Sequence, residues 1–126
     1  MINIDKHIEY WKNGAISDLE TAELLIDNQK LLHGLFFCHL VIEKIVKAHI
    51  AKKTLEIPPK SHNLLLLAQK AEIDLTEGQR DFMGILMVYQ IEGRYPDHYP
   101  QIPSEHAVKK YLSNTRDLFQ WLIEIL

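Results

Sequence analysis

Apolar residues recur every three or four positions along most of this chain, the spacing of one face of an α-helix. This spacing predicts a first helix over about Asp5–Asn28, whose opposite face is polar and includes Asp18, and a central helix over Leu31–Lys53. The central segment is apolar around nearly its whole circumference, so we expect it to lie inside a bundle or between two subunits. Its exceptions form a short polar set: His39, Glu43, Lys44 and Lys47.

Three further helices follow, and capping residues mark where they begin. A short helix over Leu64–Ala71 has Ser61 as its predicted N-cap. Thr76 and Gln79 form a capping box that opens the next helix, and Ser104 caps the last one. The helix after the capping box should run to about residue 91. Its predicted inward face consists of Phe82, Met83, Ile85, Leu86 and Tyr89.

The fold class follows from this pattern and from the length of 126 residues. No run of residues alternates between apolar and polar, and no hairpin turn of the Asn-Gly or Asp-Gly type is present. We therefore predict an all-α, up-and-down bundle of four main helices plus one short helix. A chain of this length should form a single domain, over residues 1–126.

Composition narrows the functional classes. A net charge of −3 argues against bulk electrostatic binding of nucleic acid, and DNA is not an expected partner. One cysteine, Cys38, excludes an internal disulfide and is expected to be a buried thiol. The N-terminal stretch lacks the apolar run of a signal peptide, and no segment has the ~20 apolar residues of a membrane span. We expect a cytoplasmic protein.

The densest polar cluster outside the helices is the segment Arg94–Tyr99. Arg94 offers a permanent cation for a phosphate, and His98 offers a proton donor and acceptor near neutral pH. Metal-independent cleavage of RNA needs such groups, which two copies in a dimer would supply in pairs. Alternatively, Arg94 and Asp97 form an ion pair that braces a proline-rich loop, and the tyrosines of the segment pack on the bundle.

His39 and Glu43 share one helix face, which could be half of a metal site. No second pair of ligands with matching spacing follows, so neither a metal nor another cofactor is expected. Glu43 is instead expected to pair with a cation such as Lys47 or Arg94. His62 is expected to have a capping or packing role.

Four segments, in order, give the chain its resemblance to the HEPN domain. The segments are Trp11 with Asp18-Leu19 and Ala22, His39 with Glu43–Ala48, Ser61–Leu64 and Arg94–Asp97. The second is similar to the family's AEKALKA run, the third to its THDL element, and the fourth to the RYPD of one large branch. The resemblance extends over about residues 5–125.

The resemblance implies an antiparallel helical bundle that commonly dimerises and is often paired with a minimal nucleotidyltransferase in toxin–antitoxin systems. Many HEPN proteins are metal-independent endoribonucleases whose motif is an Arg, four to six residues, then a His, at the dimer interface. Arg94 maps onto the family Arg. His98 follows after only three residues, one of them Pro96, so the spacing departs from the family motif.

We therefore expect a homodimeric HEPN module that binds a nucleotide or RNA phosphate and partners a minimal nucleotidyltransferase. The residues expected to bind the ligand are Arg94, Tyr95, Asp97, Lys44, Lys47, Glu43 and His39. One alternative is an endoribonuclease toxin in which Arg94 and His98 are catalytic, with help from Tyr95 or Tyr99. Another is a purely structural interaction protein.

Overall fold

The computed structural model describes residues 3–126 as five α-helices, and the first two residues of the chain lie outside it. The helices are α1 (Ile4–Asp27), α2 (Leu31–Thr54), the short α3 (Leu64–Lys70), α4 (Glu77–Val88) and α5 (Glu105–Glu124). No strand occurs in this described part of the chain. The predicted all-α class, with four main helices and one short one, is therefore confirmed.

A tight reversal joins α1 to α2. Asn28 caps α1, and Gln29 adopts a left-handed conformation with φ of +63°. The N–H groups of Gln29 and Lys30 donate to the carbonyl oxygens of Ile26 and Leu25, respectively. This pair of hydrogen bonds is the Schellman arrangement that ends many helices. It lets α2 begin at once, so that the two longest helices form an antiparallel hairpin, which has the most extensive helix contact in the fold.

Helix α2 contacts all four other helices, and its residues 41–51 are buried as predicted, apart from Lys44. The first half differs from the prediction. Phe36, Phe37 and Leu40 are half-buried, and His33 is exposed. The other helices cover α2 on the remaining sides here, but they leave this strip open. Although α2 is apolar on almost every side, the other helices of the same chain do not cover it on every side. The completely buried apolar residues of α2 are Leu35, Cys38, Val41, Ile42, Ile45, Val46, Ala48 and Ala51.

The ends of α3 and α4 required two corrections. Asn63, not Ser61, is the N-cap of α3, because its side chain accepts the N–H of Leu66 at 3.1 Å. Helix α4 begins with the predicted capping box but ends at Val88, earlier than expected. Ile85 is exposed, although we predicted it to face inward.

The exposure of Ile85 follows from the direction in which α4 packs. Phe82, Met83 and Leu86 are all buried, and Met83 is completely inaccessible. At 100° per residue these three side chains centre the buried face between Phe82 and Met83. Ile85 then stands beyond the edge of that face, about 110° from its centre.

Helix α5 confirms its predicted cap, and it has one regular buried face. The Ser104 hydroxyl accepts the N–H of Ala107 at 3.2 Å. Its buried residues recur at helical spacing and are Val108, Leu112, Thr115, Leu118, Phe119 and Leu122. None of the helices described is both long and apolar enough to cross a membrane. The segment 89–104 between α4 and α5 is irregular and contains the polar cluster.

Candidate functional site

A tight turn over Ile91–Arg94 follows α4. The Arg94 N–H donates to the Ile91 carbonyl oxygen at 3.1 Å, and Gly93 has φ of +79°. Glycine adopts positive φ without the steric cost that a Cβ would add. The turn leaves the Arg94 side chain exposed to solvent.

A single 3₁₀ turn over Pro96–His98 comes next. The His98 N–H donates to the Tyr95 carbonyl oxygen at 2.8 Å, and the Tyr99 N–H donates to that of Pro96 at 3.1 Å. Tyr95 and His98 are exposed, whereas Tyr99 is half-buried. The residues between Arg94 and His98 are therefore not α-helical, unlike a helical Arg-x4-His.

Arg94 and Asp97 do not form the expected bracing ion pair. Within residues 3–126, neither side chain takes part in a salt bridge, and both are exposed. The backbone hydrogen bonds of the two turns hold the segment instead. The guanidinium therefore reaches solvent without a carboxylate partner in the described chain.

Arg94 lines a groove of about 510 Å³ between this segment and the start of α2. Phe36 and Phe37 line the α2 side, with ring centroids 5.7 Å apart and ring planes at 76°. Glu92 and Tyr99 line the other side together with Arg94. The groove thus combines aromatic rings with one cation and one carboxylate. Its volume lies within the range of small-molecule sites, ~300–1,000 Å³.

The polar residues of α2 form a separate, buried line. Lys47 Nζ lies 3.2 Å from Glu43 Oε2, and both side chains are less than a tenth exposed. The same ammonium sits over the Trp11 ring, 5.3 Å from its centroid. His39 is completely buried one turn before Glu43. The expected pairing of Glu43 with Lys47 is therefore present.

His62 connects this buried line to the groove. Its Nδ1 lies 2.8 Å from Glu43 Oε1, and its Nε2 lies 3.5 Å from Glu92 Oε2. Glu43 is buried, whereas Glu92 lines the groove. His62 is therefore not a helix cap: its ring lies between a core carboxylate and a groove carboxylate.

The His39 ring is held neutral in a fixed tautomer. Nε2 lies 3.0 Å from the His62 carbonyl oxygen, which can only accept, so Nε2 carries the proton. Burial lowers the pKa of His39 below its ordinary 6.5, and this outweighs the opposing hydrogen bond and the nearby Glu43 carboxylate. His39 acts here as a buried donor that holds the loop carrying His62.

Lys44 points away from the line, towards α1. Its Nζ lies 2.7 Å from Asp18 Oδ2. Asp18 is buried rather than on an exposed polar face, because the Lys44 ammonium neutralises it between the two helices. The predicted ligand-binding residues therefore fall into two groups. Arg94, Tyr95 and Asp97 are on the exposed segment, and the α2 residues are engaged within the bundle.

Comparison with known proteins gives one match. The family model described as the HEPN domain matches residues 8–126, nearly the whole chain. The chain belongs to the HEPN family. Neither the curated proteins nor the solved structures give a match to it.

Three of the four segments that resemble the HEPN pattern meet in this structure. Trp11 and Asp18 of α1 contact Lys47 and Lys44 of α2. His62, from the segment similar to THDL, bonds to Glu43. These polar contacts tie the first three segments of the HEPN domain together. Glu92, two residues before the fourth segment, lies 3.5 Å from His62 Nε2.

Sequence reasoning missed much of the groove in this HEPN domain. His33, Phe36, Phe37 and Glu92 were not singled out, because the first three belong to a segment predicted to be covered on all sides. Two adjacent phenylalanines were the available signal, since neighbours on a helix are 100° apart and cannot both face the centre of one core.

His39, Glu43 and His62 lie close together, but they do not form a metal centre. The His39 ring donates to the His62 carbonyl oxygen, and the His62 ring donates to the Glu43 carboxylate. The other oxygen of that carboxylate accepts from Lys47. Across residues 3–126, no three His, Cys, Asp or Glu side chains converge in a way that could hold a metal ion.

Proposed function

We propose that this HEPN domain binds a phosphate group of a nucleotide or RNA through Arg94. The observation that carries the proposal is the exposed guanidinium at the groove, without a carboxylate partner in the described residues. An Arg fork binds phosphate with two parallel hydrogen bonds and keeps its charge at every physiological pH. Tyr95 and Asp97 flank it on the exposed segment and can contact the sugar of such a ligand.

The test is binding of a fluorescently labelled single-stranded RNA, measured by anisotropy at several salt concentrations. Arg94→Gln should weaken binding and lower the slope of log affinity against log salt by about 0.7, the loss of one phosphate contact. Arg116→Gln is the matched control: it removes the same charge from an exposed arginine that is paired with Glu23 on α1. Equal binding by both variants would refute the proposal.

The same proposal includes a homodimer. Leu40 on α2 is half-buried and does not line the groove, so it leaves apolar surface that a second copy can cover. A dimer would also bring two Arg94 side chains into one assembly. Sedimentation at micromolar concentration should then give about twice the mass of 14.7 kDa. A species of the monomer mass would refute the dimer without affecting phosphate binding by one Arg94.

We further propose that the domain partners a minimal nucleotidyltransferase in a toxin–antitoxin-type system in the cytoplasm. Membership of the HEPN family supports this part. If a nucleotidyltransferase is encoded beside this chain, the two should co-purify after co-expression. Expression of this chain without the partner should then slow growth, and the partner should restore it.

A second candidate is a metal-independent endoribonuclease that uses Arg94 and His98. The exposure of both side chains on one short segment favours it, with Tyr95 or Tyr99 as a further proton donor. RNA cleavage in EDTA should then be lost in both Arg94→Ala and His98→Ala. If the wild type and both variants cleave equally, the activity comes from a contaminating nuclease. If none of them cleaves, the endoribonuclease is wrong and the proposal of a binding module stands. A purely structural role predicts that Arg94→Ala changes stability but no ligand measurement.

A further inference from the structure

We infer that the groove beside Arg94 is a stacking site for an unpaired nucleobase that bears an amino group. The inference rests on the proposed phosphate binding by Arg94 and adds the chemical class of the rest of the ligand. It assigns a binding role to residues of α2 and of the loop after α4 that the phosphate proposal does not use.

The aromatic side chains carry the first part of the argument. Phe36, Phe37 and Tyr99 are half-buried and line the same groove as Arg94. Their rings therefore have bodies fixed by the bundle and surfaces open to a ligand. The two phenylalanine planes stand at 76°, so a flat ring stacked on one meets the edge of the other. Base stacking on such rings tolerates any base, because every base has a π face.

The charges of Arg94 and Glu92 determine which way round a nucleotide would lie in the groove. Arg94 attracts the phosphate, whereas the Glu92 carboxylate repels it and accepts hydrogen bonds only. His62 Nε2 lies 3.5 Å from this carboxylate, at Oε2. A base amino group is a donor that suits this acceptor, as Glu and Asp suit the amino group of cytosine. Uracil presents a carbonyl oxygen at the equivalent position and would face the carboxylate with an acceptor.

The size of the groove agrees with a nucleotide. Its volume of about 510 Å³ lies within the range of small-molecule sites, and it is open at the side, so a strand could continue into solvent. His33 stands exposed at the rim on α2, where it can contact the sugar or a neighbouring phosphate. An unstacked base in single-stranded RNA fits these features better than a paired one, whose face and edge are already occupied.

The test uses the full chain and saturation-transfer NMR with four ligands: AMP, ribose 5-phosphate, CMP and UMP. AMP should bind at least about tenfold more tightly than ribose 5-phosphate, since stacking is lost in the latter. CMP should bind at least about threefold more tightly than UMP, because the two differ in the group that would face Glu92. Saturation should be strongest at the base protons.

The variants separate the groove from the fold. Phe36→Leu and Phe37→Leu keep apolar bulk but remove the rings, and at least one should bring AMP down to the affinity of ribose 5-phosphate. Glu92→Gln should abolish the preference for CMP over UMP. Tyr10→Leu, which removes an exposed aromatic ring of α1 that does not line the groove, should change nothing. Circular dichroism melting checks that each variant is folded.

The outcomes distinguish this inference from the one on which it rests. If AMP and ribose 5-phosphate bind equally and Arg94→Gln weakens both, the phosphate site stands and the base site is wrong. If no ligand binds the wild type, both are wrong. If Phe36→Leu and Phe37→Leu leave AMP binding intact but change the sedimenting mass, the strip is covered by a second copy and the base site is wrong.

Discussion

Gly34 of α2 lies so close to Ile26 of α1 that a Cβ added to it would stand 2.4 Å from Ile26 Cγ1. The Ile26 side chain is completely buried and cannot swing into solvent. The close approach of the two longest helices just after their reversal thus depends on the missing side chain of one residue. This relationship is the basis of the first prediction.

Gly34→Ala should destabilise the protein by about 1–3 kcal/mol, the usual cost of overpacking a core. Gly84→Ala is the matched control, because Gly84 is inside α4 and a Cβ there would meet nothing within 4 Å. It should stabilise by up to about 1 kcal/mol through helix propensity. Urea unfolding measures both. Equal effects in the two variants would contradict the close packing of α1 and α2.

The second prediction concerns the buried line on α2. Glu43→Leu leaves the Lys47 ammonium in the bundle with only the Trp11 ring near it, which should cost about 3–5 kcal/mol. Lys47→Met should cost less, because His62 still faces the Glu43 carboxylate. The double variant should be more stable than the sum of the single costs implies. Additive costs in urea unfolding would mean that the two charges do not interact.

The third prediction is a loss of stability in mild acid. Burial lowers the pKa of both His39 and His49 below 6.5, so each ring is neutral in the fold and takes up a proton on unfolding. The stability due to these rings is complete above pH 6.5 and falls as pH drops below it, by at most about 1.4 kcal/mol per pH unit for each ring.

The thermal midpoint between pH 7.5 and 5 measures this slope. His49→Gln retains a donor for the Leu122 carbonyl oxygen, which the ring meets at 2.8 Å, and should make the slope shallower. His106→Gln on the exposed side of α5 should leave the slope as it is. If His49→Gln and His106→Gln behave alike, His49 does not titrate on unfolding.

The fourth prediction concerns the thiol of Cys38. Burial raises its pKa to about 11, so almost no thiolate exists at pH 8 and no reagent can reach it. A thiol reagent such as DTNB should label the native protein very slowly and one thiol per chain in denaturant. Rapid labelling without denaturant would show that α2 opens readily towards α5.

Local signals predicted the helices well. The Thr76–Gln79 capping box and the Ser104 cap each join residues only three positions apart. Their hydrogen bonds can therefore be predicted from a short stretch of sequence. The apolar period of α5 likewise needs no knowledge of a partner. The HEPN resemblance rested on such short segments, and the family match confirms it.

The groove and the buried line on α2 depend on contacts between residues that are far apart in the sequence. His62 meets Glu43 from 19 positions away and Glu92 from the other side. Asp18 is polar, yet it is buried because Lys44 meets it from the neighbouring helix. Phe36 and Phe37 are apolar, yet they are half-exposed because no other helix covers that strip. Which residue is covered is decided by the assembled bundle.

The double contact of His62 determines what would have to be moved to reproduce this groove elsewhere. A transplant of the segment 91–99 onto another helical protein would carry Arg94, but it would leave Glu92 without the ring that lies beside it. The ring in turn needs a carboxylate at the position of Glu43 and a donor at that of His39. The smallest unit that could be transplanted is therefore α2 together with the loop that carries His62 and the loop that carries Glu92. The groove is thus poorly suited to loop grafting and is better engineered within the whole domain.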